Sequence, residues 1–305
     1  MAEPLEGRIM DTPLLPFRHF LLGLAVVAVW GTNFVVIHQG LAHLPPLLFA
    51  ALRFLFAALP GIFLFPRPRV PWSHLAAYGV LIGTGQFGLL FIAMNGHISP
   101  GIASLVIQMQ VFFTIGLAMR LSGETVRPYQ GVALALGLAG LVVILTHTDG
   151  STTPLGLGLV LVAALSWAGG NIVARASRVT DMLPYVIWGS LFSAPPLFAL
   201  SFALEGWDAI RAGIVGADVP TWAAVLWQTV GNTMFGYAAW GWLLSRHPAA
   251  VVTPLALLVP LFGMGASTVL LGESLPFWKI AAALLVMSGL VVGLLYPRWR
   301  KARTA

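Results

Sequence analysis

Cysteine is absent from the 305 residues, so neither a disulfide framework nor a thiolate metal site is available. Charge is scarce as well. Only 9% of residues are Asp, Glu, Lys or Arg, against about 25% in soluble domains. All ten acids fall in the termini, in connections or at the ends of apolar runs. That disfavours exchange of cationic drugs for protons, which needs a buried carboxylate to hold cation and proton in turn. H-E-x-x-H, G-x-S-x-G and P-loop signatures are missing, and the seven histidines are scattered. An enzyme, a metal site and a bound cofactor are therefore not expected. His38, His43 and His97 would revive a metal reading only by converging, and interfacial histidines explain them more simply. GTGQFG (83 to 88) matches G-x-G-x-x-G formally but has no strand before it and no acid after it.

What is present is apolar. Hydrophobic residues make up 58% of the chain, with a mean hydropathy of +0.90. Several uncharged runs exceed about 18 residues, enough to cross about 30 Å of hydrocarbon at about 1.5 Å per residue. Charge, punctuation and length place ten helices at 17–38, 46–65, 73–95, 99–120, 128–146, 155–175, 183–204, 220–244, 248–271 and 276–296. The fold class is an all-α membrane protein. The first run is too long for a signal peptide core and lacks a small-residue cleavage site, so it is expected to remain as a span.

Basic residues set the orientation, because Lys and Arg near span ends stay on the cytoplasmic side. With both termini in the cytoplasm, Arg8, Arg18, Arg67, Arg69, Arg120, Arg127, Arg175, Arg178, Arg246 and the Arg298–Arg303 cluster lie inside. Arg211 and Lys279 alone fall outside, and Arg53 is the one base within a span. The net charge of +6 then reflects this bias and an anionic leaflet, and nucleic acid is not an expected partner.

The two halves repeat. Aligning Glu124 of LSGE with Glu273 of LLGE sets Tyr129 against Trp278 and the GLVV of 140–143 against that of 289–292, an offset of 149. VWGTNFVV (29 to 36) and LSWAGGNIV (165 to 173) also correspond, Trp30 to Trp167 at an offset of 137, with Asn33 and Asn171 one residue out of register. Five spans per copy is an odd number, so the second copy enters the membrane inverted, an architecture of carriers. The expected divisions are a cytoplasmic tail at 1–16, repeats at 17–147 and 154–296 around a central cavity, and a basic cytoplasmic tail at 297–305.

Ten spans in two inverted halves, Trp and Asn in the first span of each half, the arginine of LLFAALRFLFAAL and the Gly-Glu closing spans four and nine together resemble the drug/metabolite transporter superfamily, EamA-type branch. The chain is most similar within it to bacterial exporters of aromatic and other amino acids. The resemblance implies a multi-pass carrier of the bacterial inner membrane, moving a small metabolite by alternating access.

In-span polar groups need a partner or water, which singles out Asn33, Gln86, Gln108, Gln110, Asn171, Gln228 and Asn232. Two readings stand: the amides line a cavity, or they join helices at packed interfaces. Arg53 has no acid in any span to pair with. Its guanidinium either takes a substrate carboxylate or binds backbone groups freed near Pro60, or else snorkels to the interface. Trp30, Trp167 and Tyr78 offer apolar faces or a cation-π contact to an ammonium. Gly79 and Gly83, Pro254 and Pro260, and the pair Pro195-Pro196 are candidate bending points, with close packing or static kinks as the alternative. A neutral or zwitterionic substrate such as an amino acid fits best. Facilitated diffusion and proton exchange are both open, as are a lipid-translocating role and a homodimer through the small residues of 128–146 and 276–296.

Overall fold

In hydrocarbon every backbone N–H and C=O must find a partner within the protein, so an apolar chain of this length folds into helices. The computed structural model describes residues 15–122, 128–147, 152–247 and 249–304, and among these residues there are helices and no strand. Residues 1–14 of the N-terminal tail, Glu124, Arg127 and Pro248 lie outside the described residues.

Among the described residues nine helices have the length and hydropathy of a span: α1 (Phe17–Gly40), α2 (Pro46–Leu64), α3 (Trp72–Met94), α4 (Pro100–Leu121), α5 (Pro128–Thr146), α6 (Pro154–Ala176), α7 (Met182–Glu205), α9 (Thr253–Leu271) and α10 (Phe277–Tyr296). The tenth, α8 (Val219–Arg246), follows a shorter helix, Trp207–Gly216, at a bend of 104°. Helix starts follow local chemistry. Proline opens α2, α4, α5 and α6, where its missing N–H costs nothing. The side chains of Thr153, Asp181 and Asp218 cap α6, α7 and α8. Hydrogen bonds from the hydroxyl and amide of Thr221 hold the Asp218 carboxyl below its usual range.

Helices packed in pairs show how the two halves are related. In α5 and α10, Gly140 lies against Ala282 and Val286, and Gly289 lies against Ala133. The register of 149 carries Gly140 onto Gly289 and Ala133 onto Ala282, so the contact is reciprocal. The ring pairs at the two ends of this interface obey the same rule. Tyr129 stacks on Tyr296 with centroids 5.2 Å apart and Trp278 stacks on His147 at 5.7 Å, and each pair maps onto the other. A pseudo-two-fold axis therefore passes between α5 and α10. Similarly, α2 packs on α7 and α4 on α9, each helix against its mate in the other repeat. The small-residue faces of α5 and α10 are thus turned toward each other within one chain.

One end of the bundle carries the start of α1 and the end of α10. The far end carries the α1–α2, α3–α4, α5–α6, α7–α8 and α9–α10 connections.

Several spans depart from regular helix. α3 and α8, mates under the axis, each contain a nine-residue π-helical segment, Val80–Gly88 and Trp227–Phe235. Such segments commonly mark functional sites in membrane helices. The sequence predicts a single helix over 248–271; the chain is helical from 249, but an α-helical turn, Ala249–Val252, passes into a 3-10 segment, Thr253–Leu258, before the α-helix Val259–Leu271. Pro254 lies at the second position of that segment and Pro260 just after it, and neither has an N–H to continue an α-helical ladder. A turn at Ile107–Gln108 interrupts α4, and the helix of α10 runs on to Thr304, past the predicted limit at 296.

Lys279 also departs from expectation. It sits at the end of the bundle away from the start of α1, the side the basic-residue pattern gives it, but it is 1% exposed within the first turn of α10, with its ammonium 3.0 Å from Glu273. Arg53 is accordingly not the only buried base.

Gly79 and Gly83 lie where α3 crosses α7. A Cβ on Gly79 would meet the carbonyl oxygen of Gly189, and one on Gly83 would meet Ser193. Gly79→Ala is expected to destabilise the fold by about 1–3 kcal/mol through overpacking against backbone. Thermal unfolding in detergent checks this, and an unchanged midpoint would refute so close an approach.

Candidate functional site

The polar groups predicted from the sequence gather mainly at one place, where α1, α2, α3 and α8 meet. α8 supplies two of them, Gln228 and Asn232, and adds Thr233. Its π-helical segment widens the turn so that the Thr233 hydroxyl donates five residues back, to the carbonyl of Gln228 at 2.8 Å. The same hydroxyl accepts from Nη2 of Arg53 at 3.2 Å. Gln228 is fully buried, and its Nε2 donates to Oδ1 of Asn33 on α1 at 2.8 Å. One turn earlier on α1, the indole of Trp30 donates to the carbonyl of Asn232 at 3.2 Å and leans on Tyr237 and Trp240. The chain of contacts runs Asn33, Gln228, Thr233, Arg53 across three helices.

Arg53 does not snorkel, and it is not held by the backbone near Pro60. Its side chain is 1% exposed and its guanidinium lies over the Phe87 ring, 3.6 Å from the centroid, with Phe54 at 5.1 Å. Stacking on one face and the Thr233 bond at one nitrogen fix the plane of the fork. Among the described residues no protein atom accepts from its Nε or Nη1, and none donates to Oε1 of Gln228. Two directed donor groups and one acceptor are therefore available within a single buried network. Tyr78 and Tyr237 are close enough to the guanidinium to interact with it electrostatically.

The remaining predicted residues lie elsewhere. Asn171 on α6 donates to Oε1 of Gln110 at 3.0 Å and to Thr114 at 3.3 Å, both on α4. That cluster is separate from the one around Arg53. Trp167 packs, partly buried, one turn before Asn171. Gln86 is buried within the π-helical segment of α3, and Gln108 is buried at the turn that interrupts α4. Sequence reasoning missed Thr233, Tyr237 and Phe87. Their spacing carries the available signal: Thr233 and Tyr237 follow Gln228 and Asn232 by five residues, a period that becomes informative once the π-helical segment is known.

Among the described residues no three His, Asp or Glu side chains come together as metal ligands. The histidines instead tie helices at the two ends, His19 to His247, His74 to Ser177 and His43 to Thr221.

Family comparison joins this geometry to a class of protein. The model for the EamA-like transporter family matches residues 18–146 and again 154–295. The chain belongs to that family. It is similar to the probable amino-acid metabolite efflux pump of Salmonella typhimurium, 40% identical over 286 residues covering 92% of this chain and 96% of that protein. The Escherichia coli protein of the same description is 40% identical over 288 residues with the same coverage. An uncharacterized inner membrane transporter of Escherichia coli, YedA, is 29% identical and covers 86% of the chain. A crystal structure with 22% identity superposes with a TM-score of 0.62 over 92% of this chain and 98% of its own, which supports the fold. The EamA-family chain is thus a multi-pass membrane transporter and not an enzyme.

The Asn33–Gln228 contact predicts a measurable coupling. Asn33→Leu and Gln228→Leu each leave one buried amide without its partner and should each cost about 0.6–2 kcal/mol. The double variant should cost less than the sum. A double-mutant cycle on detergent stability tests it, and strictly additive costs would mean the two amides do not interact.

Proposed function

We propose that this EamA-family chain exports amino acids, aromatic and other neutral ones, from the cytoplasm across the bacterial inner membrane by alternating access. The observation that carries the reading is the arrangement around Arg53. A zwitterionic amino acid has a carboxylate for the unpartnered Nε and Nη1 and an ammonium for the unpartnered Oε1 of Gln228. The aromatic group of Trp30, Tyr237 and Trp240 offers a surface for a side chain next to these polar atoms. The relatives named as probable amino-acid metabolite efflux pumps support the same substrate class.

In this reading Asn33, Arg53, Gln228 and Asn232 contact or orient the substrate, with Tyr78 near them, and Gln86 acts from the π-helical segment of α3. Trp167, Asn171 and Gln108 belong to the path on the α4–α6 side. Gly79, Gly83, Pro254 and Pro260 absorb the backbone changes as the halves rock. One chain is the transport unit. In this reading both termini lie in the cytoplasm, as the bias of basic residues favours, and the far end is extracytoplasmic. With no carboxylate in the Arg53 network, diffusion down the amino-acid gradient is favoured over proton exchange.

Proteoliposomes loaded with radiolabelled Trp, Phe, Leu, Thr and a panel of other metabolites, with and without a pH gradient, test the proposal. Flux of neutral amino acids that needs no pH gradient is expected. Asn33→Ala should reduce it about tenfold, corresponding to about 1.4 kcal/mol for one lost hydrogen bond. Val215→Ala, exposed on the Trp207–Gly216 helix, is the control. Movement of a different solute or of lipid, with no amino-acid flux, would overturn the substrate assignment. Equal flux in Asn33→Ala and the control would remove Asn33 from the site.

A further inference from the structure

The far end of the bundle contains two contacts that the transport reading does not use. The Glu205 carboxylate, on the last residue of α7, accepts from the amides of Leu47 and Leu48 at 2.6 and 3.1 Å, one per oxygen. It also accepts from Ser201 of its own helix at 2.6 Å. Leu47 and Leu48 are in the first turn of α2, where backbone donors have no helical acceptor. The Glu273 carboxylate, just past the end of α9, does the same for α4. It accepts from the Ser99 hydroxyl at 2.5 Å and the Gly101 amide at 3.0 Å, and pairs with Lys279 at 3.0 Å. A Cβ on Gly101 would press on both carboxylate oxygens, so this approach depends on glycine. In both cases the carboxylate at the end of one helix caps the start of its mate in the other repeat.

The arrangement is not mirrored between α2 and α7 at the terminal end. There α7 is capped by its own Asp181, and α2 ends in Phe65, Pro66 and Arg67 with no carboxylate. Glu205 is further tied to the surface helix Trp207–Gly216. The chain turns into that helix at Gly206 with φ +82°, and Gly213 seats on His43 and Pro45 of the α1–α2 connection. Glu205, His43, Pro45 and Pro46 line one open cavity of about 550 Å³ at this end. Parting α2 from α7 or α4 from α9 here would strand charged acceptors and helix-end donors together.

From this geometry we infer that Glu205 and Glu273 are the two bolts of the extracytoplasmic gate. Each holds the repeats together at that end and must release its mate's helix start for cargo to leave. The inference rests on the transporter reading but not on the identity of the cargo.

The chain's lack of cysteine makes the test clean. Single cysteines at Ala50 and Ala103, both fully buried behind the capped turns of α2 and α4, report access to a membrane-impermeant maleimide added outside intact cells. Glu205→Gln combined with Glu273→Gln should raise their labelling rate about tenfold, reflecting a population shift toward the open form. An unchanged rate in folded protein overturns the inference. A second arm keeps Glu273 and joins Leu47→Cys to Glu205→Cys by oxidation. Flux of the transported solute should stop on disulfide formation and return on reduction. Undiminished flux through the cross-linked protein overturns it. Labelling does not depend on the substrate, so its outcome stands even if the proteoliposome assay finds no amino-acid flux.

Discussion

Water is missing from the bilayer core, and a backbone amide or carbonyl there must be satisfied by protein. That requirement produces the ten helices and also concentrates the structure's options at the few places where helical bonding fails. Helix starts are one such place, and at the far end two of them are satisfied by carboxylates from the opposite repeat. The π-helical segments of α3 and α8 are another, since a widened turn releases the Gln228 carbonyl to a side-chain donor. The 3-10 segment of α9, which contains Pro254 and is followed by Pro260, is a third. The polar features with a candidate role in transport, capped ends and widened turns, are largely local answers to this one constraint.

Symmetry and its breaking divide the labour. The α5–α10 interface is reciprocal residue by residue, from the glycine contacts to the stacked rings at its ends. A pair that looks the same from either repeat has no reason to favour one state of the carrier over the other. The polar network does not follow the axis. Asn33 binds Gln228 of α8, whereas Asn171 binds Gln110 and Thr114 of α4, the mate of α9 and not of α8. Two states that differ in which end is closed need such inequivalent contacts, because a symmetric set would stabilise both equally.

The sequence displays what depends on composition and register. Low charge and long apolar runs give the spans, and the offset of 149 identifies mates that the structure then packs together. Trp30 and Asn33 are legible because polar groups in an apolar run stand out. Thr233 is not, since threonine is common in membrane helices, and its role depends on a π-helical turn that shifts which residues share a face. The burial of Lys279 was hidden for a related reason. Near a span end a lysine is expected in water, and only the position of Glu273 makes its burial tolerable. Asn171 stood out, but its partner did not, because choosing Gln110 over Gln108 depends on the turn at Ile107–Gln108.

The two buried cations make the final point. Lys279 is compensated by Glu273 at 3.0 Å, and this pair also serves a helix start. Arg53 is equally buried, yet its named contacts are a hydroxyl and two aromatic faces, with two nitrogens unmatched. A guanidinium in low dielectric without a carboxylate is costly, and replacing it by an apolar residue would be expected to stabilise the fold. Its cost is repaid in function if the compensating anion arrives and leaves with the cargo. On that argument the proposed roles divide by charge balance: the compensated pair suits a gate, and the uncompensated guanidinium suits a substrate carboxylate.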